Sequence, residues 1–370
     1  VKRILTLIAL MGLSAVSGWA ESIVHADYLG DAACQSCHSA QSISFHETAH
    51  SLTSSVPSEH SILGKFTPGD NLLKTANPNL YFQMDATGGV FTQTAVAGTP
   101  PRTSTRAERF ALVVGSGEKG QTFLFWDDDQ LFQLPVSYWT GLGWVNSPGY
   151  RDGFADFERA IIPRCLECHA TSFRALPPPS NRYDNANFSL GIQCEKCHGP
   201  GRKHVAQANA RSATPTAILN PAHFSRDRQM DLCAWCHAGH GQMLKPSFSY
   251  RPGDSLDEYI HFPPLALNAP VDVHGNQVGM LKQSRCFLES GLTCLTCHNV
   301  HAPQHDLAAF SQRCLSCHKP GSATFAKANH PVVNNCIDCH MPKQQTDLIV
   351  VDYEGKQVRP AIRSHLIKIY

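Results

Sequence analysis

The sequence predicts a mostly irregular and α-helical fold with one small antiparallel β-unit inserted in it, and three observations predict it. Cys-x-x-Cys-His occurs seven times, and no Cys-x-x-Cys lacks the histidine. A stretch from about residue 61 to 150 has none of these motifs and reads as short strands. Elsewhere the apolar side chains that fill an ordinary core are sparse, while Pro, Gly and Asn are common, as in short helices joined by irregular loops. Such a chain needs something other than side chains at its centre.

The motifs supply it. They are Cys34/Cys37/His38, Cys165/Cys168/His169, Cys194/Cys197/His198, Cys233/Cys236/His237, Cys294/Cys297/His298, Cys314/Cys317/His318 and Cys336/Cys339/His340. Two thiols three residues apart can each form a thioether to one vinyl group of the same porphyrin. The next residue then lies under the ring, where an imidazole nitrogen binds the iron. Zinc ribbons and redox dithiols also use Cys-x-x-Cys, but neither gives a reason for a histidine after every pair. With His at about one residue in twenty, seven such coincidences have odds of roughly 10⁻⁹. The reading is a multihaem cytochrome c with seven covalently bound haems that form much of the core. Six motifs crowd between Cys165 and His340, about one per thirty residues.

Taken in order, Lys2 and Arg3 precede an apolar run from Ile4 to Val16 and the small-residue stretch Ser17-Gly18-Trp19-Ala20. Residues 1–20 read as a secretory signal peptide cleaved after Ala20, too short for a spanning helix of about 20 apolar residues. Residues 21–60 form a single-haem segment, 61–150 the β-rich insert and 151–370 a six-haem domain. In the insert, Tyr81-Phe82-Gln83-Met84, Val90-Phe91-Thr92-Gln93-Thr94, Phe110-Ala111-Leu112-Val113-Val114, Thr122-Phe123-Leu124-Phe125-Trp126 and Leu131-Phe132-Gln133-Leu134 are strand-like. Gly88-Gly89 and Asp127-Asp128-Asp129 are hairpin turns between them. Four to six strands are expected, as a scaffold that shields haems or as a docking or gating element. The formal charge of +1 falls to about −1 without Lys2 and Arg3, and to about −8 with seven haems. That argues against a nucleic-acid partner. No later segment is apolar enough to span a bilayer.

Several segments around the motifs resemble a known family. They are Gly30-Asp31-Ala32-Ala33-Cys34-Gln35-Ser36-Cys37-His38, Gly191-Ile192-Gln193-Cys194-Glu195-Lys196-Cys197-His198-Gly199-Pro200-Gly201, Ser284-Arg285-Cys286-Phe287, Asn299-Val300-His301 and Cys336-Ile337-Asp338-Cys339-His340-Met341-Pro342-Lys343. The family is the multihaem c-type cytochromes related to the tetrahaem cytochrome of nitrifying bacteria, often fused to tetratricopeptide repeats. The resemblance is weaker in the β-rich insert. It implies an exported electron-transfer protein with closely packed haems. Helical repeats are not seen after His365, so a repeat-mediated scaffolding role has no support.

Each haem iron has a second axial site, and thirteen histidines lie outside the motifs. Six are expected to serve as distal ligands. His50 lies one helical turn after His46 and resembles the histidine that follows the family's first haem. His204 follows the turn Gly199-Pro200-Gly201. His301 comes three residues after His298 and so faces a neighbouring haem. His330 precedes the last motif, His365 lies in the C-terminal tail, and His274 precedes the Cys286 region. Methionine ligands, from Met230, Met243, Met280 or Met341, would raise the potential relative to bis-histidine. Cys286 is the odd cysteine, read as a buried thiol near the fifth haem, with iron ligation or an intermolecular disulfide as alternatives.

The expected function is an exported heptahaem cytochrome, periplasmic or extracellular and soluble once cleaved, that relays electrons between a donor and an acceptor protein. Two alternatives stay open. One is an oxidoreductase of a small nitrogen or sulfur compound with one open-site haem, whose walls would draw on Tyr138, Tyr150, Arg151 and His261. The other is a filament subunit, with His25 as donor to a neighbour. Pentahaem nitrite reductases carry Cys-x-x-Cys-Lys at their active haem and hydroxylamine oxidoreductases carry eight haems, and neither pattern occurs here.

Overall fold

In a computed structural model, residues 27–211, 216–266, 269, 275–322, 325, 334–346, 349–353 and 355–370 are described. The leader, and with it His25, lies outside them, as do His274 and His330.

Each motif sits on, or ends, a short helix: Asp31–Gln35, Pro163–Glu167, Cys194–His198, Arg226–His237, Cys294–Cys297, Leu307–Leu315 and Cys336–His340. One helical turn is what the chemistry needs. Residues i, i+3 and i+4 share a face, so both thiols and the imidazole point to one side. Caps hold these turns where length cannot. Ser225, Thr293, Asp306 and Asn335 each accept a backbone N–H of the first turn.

The motif-free stretch is built from β1 (Ser54–Ser55), β2 (Leu72–Lys74), β3 (Leu80–Thr87), β4 (Val90–Thr99), β5 (Arg102–Arg109), β6 (Leu112–Val114), β7 (Gly120–Asp127), β8 (Gln130–Gln133), β9 (Val136–Trp139) and β10 (Gly143–Asn146). They form two antiparallel sheets, β2-β3-β4-β5 and β1-β6-β7-β9-β10, with β8 paired to β7. The expected turns are present: Gly88 and Gly89 close the β3–β4 hairpin, and Asp128, at φ 52°, closes β7–β8. Strand number exceeds the four to six expected. β5 was not readable, because Arg102 to Arg109 is polar and almost wholly exposed, so it carries no alternation.

The two sheets face each other across Phe82, Met84, Phe91, Phe110, Phe123, Phe125 and Trp144. Gln93, fully buried, ties them together: its amide donates to the Val136 carbonyl (3.1 Å) and accepts from the Val136 N–H (2.9 Å). The second face of the larger sheet is covered too. Leu112, Leu124 and Leu131 pack on Ile161, Leu166, Phe173, Tyr183 and Phe248. This explains the unbroken run Phe123-Leu124-Phe125, buried on both sides of the pleat. A shared core therefore crosses residue 150 into the motif-rich part.

There, β11 (Ala170–Ala175) and β12 (Tyr183–Leu190) form a hairpin between the second and third motifs. A third apolar cluster, including Met230, Trp235, Tyr250, Leu256 and Phe287, surrounds the fourth motif. No helix among the described residues is long and apolar enough to cross a membrane.

Candidate haem-binding site

A cavity of about 2070 Å³ runs between the β-unit and the motif helices. Pockets for one small ligand measure about 300–1,000 Å³, so this one has room for several. Both cysteines and the histidine of each of the first four motifs line it, with His298 of the fifth. His50, His204 and His301 line it from other segments. The β-unit closes one wall with Ser116, Glu118, Thr140 and Leu142 from its inter-strand turns.

Four imidazole pairs carry the geometry. His38 and His204 have ring centres 6.4 Å apart with planes inclined by 23°. His198 and His301 are 6.0 Å apart at 21°, and His298 and His365 are 6.4 Å apart at 23°. His50 and His237 are 6.0 Å apart at 69°. Each pair joins one motif histidine to one from elsewhere. Metal–imidazole bonds of about 2 Å on either side of a single ion separate the ring centres by about 6 Å. The rings are spaced to sandwich an ion rather than to touch.

Second partners set the orientation of several rings. Nδ1 of His198 lies 2.8 Å from the Leu219 carbonyl, that of His340 2.8 Å from the Lys368 carbonyl, and that of His365 3.3 Å from the Arg363 carbonyl. A carbonyl accepts only from Nδ1–H, which leaves Nε2 with its lone pair for a metal. His169 Nδ1 meets the Thr53 hydroxyl at 2.9 Å. His318 closes the turn after Leu307–Leu315, its N–H donating to the Cys314 carbonyl. Burial holds His237 and His365 down at about 4, so both imidazoles are neutral at neutral pH.

The local fold explains how the distant rings arrive. His50 precedes the turn Ser51–Thr53, and its carbonyl accepts from Ile192 N–H (3.0 Å). His204 stands on helix Arg202–Asn209. The His301 carbonyl accepts from Ser44 Oγ (2.6 Å). His365 is held by Ser284, whose hydroxyl donates to the His365 carbonyl (3.2 Å) and accepts from Ile367 N–H (2.8 Å). The Ser284 segment was singled out in the sequence for its cysteine, yet its serine anchors the tail. His46 is engaged with the Ser42 carbonyl and Asp31. Met230 and Met280 are buried packing residues.

The four residues expected to wall an open iron are placed elsewhere. Tyr150 donates to the Gln133 carbonyl, Arg151 stacks on Phe154, Tyr138 packs on Trp144 and His261 is exposed on a two-stranded ribbon. None of them lines the cavity.

Thiols of different motifs also meet: Cys34 with Cys194, Cys168 with Cys236, Cys233 with Cys294 and Cys314 with Cys336. Cys286 lies beside Cys297 and Cys317, and burial pushes its thiol up. No spacing rule in the sequence could have shown these contacts.

Residues 152–199 match the family described as cytochrome c554 and c-prime. The chain is 27% identical over 192 residues to the multiheme cytochrome MtrA of Shewanella baltica (strain OS185), covering 49% of this chain and 53% of that protein. It is 22% identical over 221 residues to the dissimilatory sulfite reductase MccA of Wolinella succinogenes, covering 50% of this chain and 28% of that protein. It thus spans about half of the first relative's length and little over a quarter of the second's. Its fold is similar to that of the outer cell wall cytochrome OcwA (TM-score 0.57, 18% identity, 92% of this chain and 80% of that one).

The chain is similar to multihaem c-type cytochromes. Its own residues fit the cofactor. Trp235 Nε1 and His204 Nδ1 belong to cavity-lining residues, are buried, and find no partner among the described residues. Buried donors are rarely left so. Haem propionates are acceptors of the kind that would satisfy them.

Proposed function

We propose that this cytochrome binds seven c-type haems, one at each motif, and relays electrons between redox partners outside the cytoplasmic membrane. In this reading the motif cysteines form the thioethers and the motif histidines hold the irons from one side. His204, His50, His301 and His365 would hold the same irons as His38, His237, His198 and His298. His274 and His330 are assigned among the remaining three. The observation that carries the reading is the set of four imidazole pairs with ring centres 6.0 to 6.4 Å apart.

Haem bound here supplies one-electron chemistry at iron. The chain's residues do the rest. Two neutral imidazoles on an iron leave it without an open position and hold its potential low relative to histidine–methionine ligation. The thiol contacts place the first motif against the third, the second against the fourth, the fourth against the fifth and the sixth against the seventh. Cys197 lies within electrostatic reach of Cys233, and Cys297 of Cys314, which links these pairs into one connected set. Export follows from the leader read in residues 1–20 and is the state in which covalent haem attachment takes place.

The test is a low-temperature EPR spectrum of the oxidised protein, with intact mass on the same sample. Seven haems and only low-spin ferric signals are expected. The similarity to a sulfite reductase favours one second reading, reduction of a small sulfur oxyanion at one open iron. A high-spin signal that shifts on adding sulfite would install that reading in place of the relay.

A further inference from the structure

One buried carboxylate holds together two stretches of chain that carry facing imidazoles. Glu195 is the second residue of the helix Cys194–His198 and is 1% exposed. Its Oε2 accepts from the Gly30 N–H (2.8 Å) and its Oε1 from the Gly201 N–H (2.7 Å). Both oxygens share the Leu29 N–H, each at 3.0 Å. Gly30 immediately precedes the helix Asp31–Gln35, from which the first motif runs on to His38. Gly201 immediately precedes the helix Arg202–Asn209, which bears His204. Two further bonds close the same junction. Asp31 Oδ1 accepts from the Cys194 N–H (2.8 Å), and the Asp27 carbonyl accepts from the Arg202 N–H (3.2 Å).

A buried carboxylate is costly unless donors replace its water. Here the donors are backbone N–H groups of the very segments it joins. Leu29 and Gly30 stand 166 and 165 residues away along the chain. Space is left for the oxygens: a Cβ on Gly201 would stand 3.2 Å from Oε1. His204 needs such a tether. The His198 ring is oriented by the Leu219 carbonyl at Nδ1, whereas the buried Nδ1 of His204 has no partner among the described residues. Its helix therefore places that ring, 6.4 Å from His38 with the planes inclined by 23°.

Resting on the reading that His38 and His204 hold one iron, we propose that Glu195, a residue of the third motif, is the positioning residue for iron ligation at the first. Each carboxylate oxygen holds one of the two segments, so the spacing between the rings is set from a point outside both. What counts is the pair of acceptor oxygens. An amide keeps one of them, and a methyl group keeps none. Without the carboxylate the two helices lose their common anchor, and His204 drifts from the iron it shares with His38. The chain around the third motif thus completes the site of the first.

EPR of the oxidised holoprotein, with carbon monoxide difference spectra after reduction, tests this in Glu195→Ala, His204→Ala, the double variant and Glu195→Gln. Glu195→Ala is expected to convert one haem from low spin to high spin and to let that haem bind carbon monoxide. The double variant should show no more high-spin haem than His204→Ala alone, because both changes disable one site. Glu195→Gln, with one acceptor oxygen left, should convert only part of that haem. A general loosening of the fold would instead add high-spin haem on top of His204→Ala. That additive result, or a parent spectrum in Glu195→Ala, overturns the proposal. Should Glu195→Ala fail to load haem by intact mass, Glu195→Gln decides alone. A partial high-spin signal that adds nothing in the His204→Ala background upholds the proposal, and a parent spectrum overturns it. The ligation reading fails separately: a His204→Ala protein with the parent spectrum removes His204 from the iron, and the proposal falls with it.

Discussion

At the scale of single residues, the site depends on imidazoles that are placed before they are bound. His365 sits 6.4 Å from His298, with its backbone held by Ser284. On the proposed ligation, replacing it by alanine should add one high-spin haem to the spectrum, with carbon monoxide binding to that one after reduction. His46→Ala should leave the spectrum unchanged, because that ring is tied to Ser42 and Asp31. The pH behaviour has a defined sign. Burial depresses His237 and His365 from 6.5 to about 4, so the folded state prefers both rings neutral. Their contribution is complete above the unfolded value of about 6.5 and is lost as pH falls toward about 4. The distal candidates were legible one at a time: a histidine after a glycine turn, one shortly after a motif, one in the tail. Their pairing was not. His38 meets His204 and His50 meets His237 across long stretches of chain, and no local pattern encodes a partner that far away.

Among secondary-structure elements, close backbone approach matters more than strand propensity. Gly191, at φ 65°, brings the third motif onto the segment after the first. A Cβ there would stand 2.3 Å from the Ser51 carbonyl oxygen. The next residue, Ile192, donates to the His50 carbonyl. Gly191→Ala should cost about 1–3 kcal/mol by crowding. On the proposed ligation it should also raise the high-spin fraction of the haem at the fourth motif by displacing His50, and EPR beside thermal melting separates the two effects. Gln93→Leu keeps the volume but strands the N–H and carbonyl of Val136 between the sheets. A loss of about 1–3 kcal/mol is expected for each buried group left unsatisfied, read as a lower urea midpoint. The five strands that carry Phe82, Phe91, Val113, Phe123 and Leu131 were readable because their burial writes an apolar pattern. β5 and the β11–β12 hairpin were not. The first is a polar edge held by β4 alone, and the second carries Asp184, Asn185 and Asn187 in its second strand.

For the whole molecule, the β-unit is part of the wall of the large cavity. Its larger sheet buries one face against the other sheet and the second against Ile161, Phe173 and Tyr183, while its turns reach the cavity. Limited proteolysis of the native protein should therefore not release residues 54–146 as a separate folded piece. A stable fragment of that size would show that the shared core contributes little. The crossed histidines have one more consequence, for biogenesis. On the proposed export, a chain threaded out from its N-terminus would present the first Cys-x-x-Cys-His long before His204 has emerged, and the fifth before His365. In that reading, haems attached early would wait with a provisional sixth ligand. Each newly arrived segment then locks a cofactor acquired earlier, so chains stalled before residue 365 should accumulate as fully loaded but spectroscopically immature intermediates.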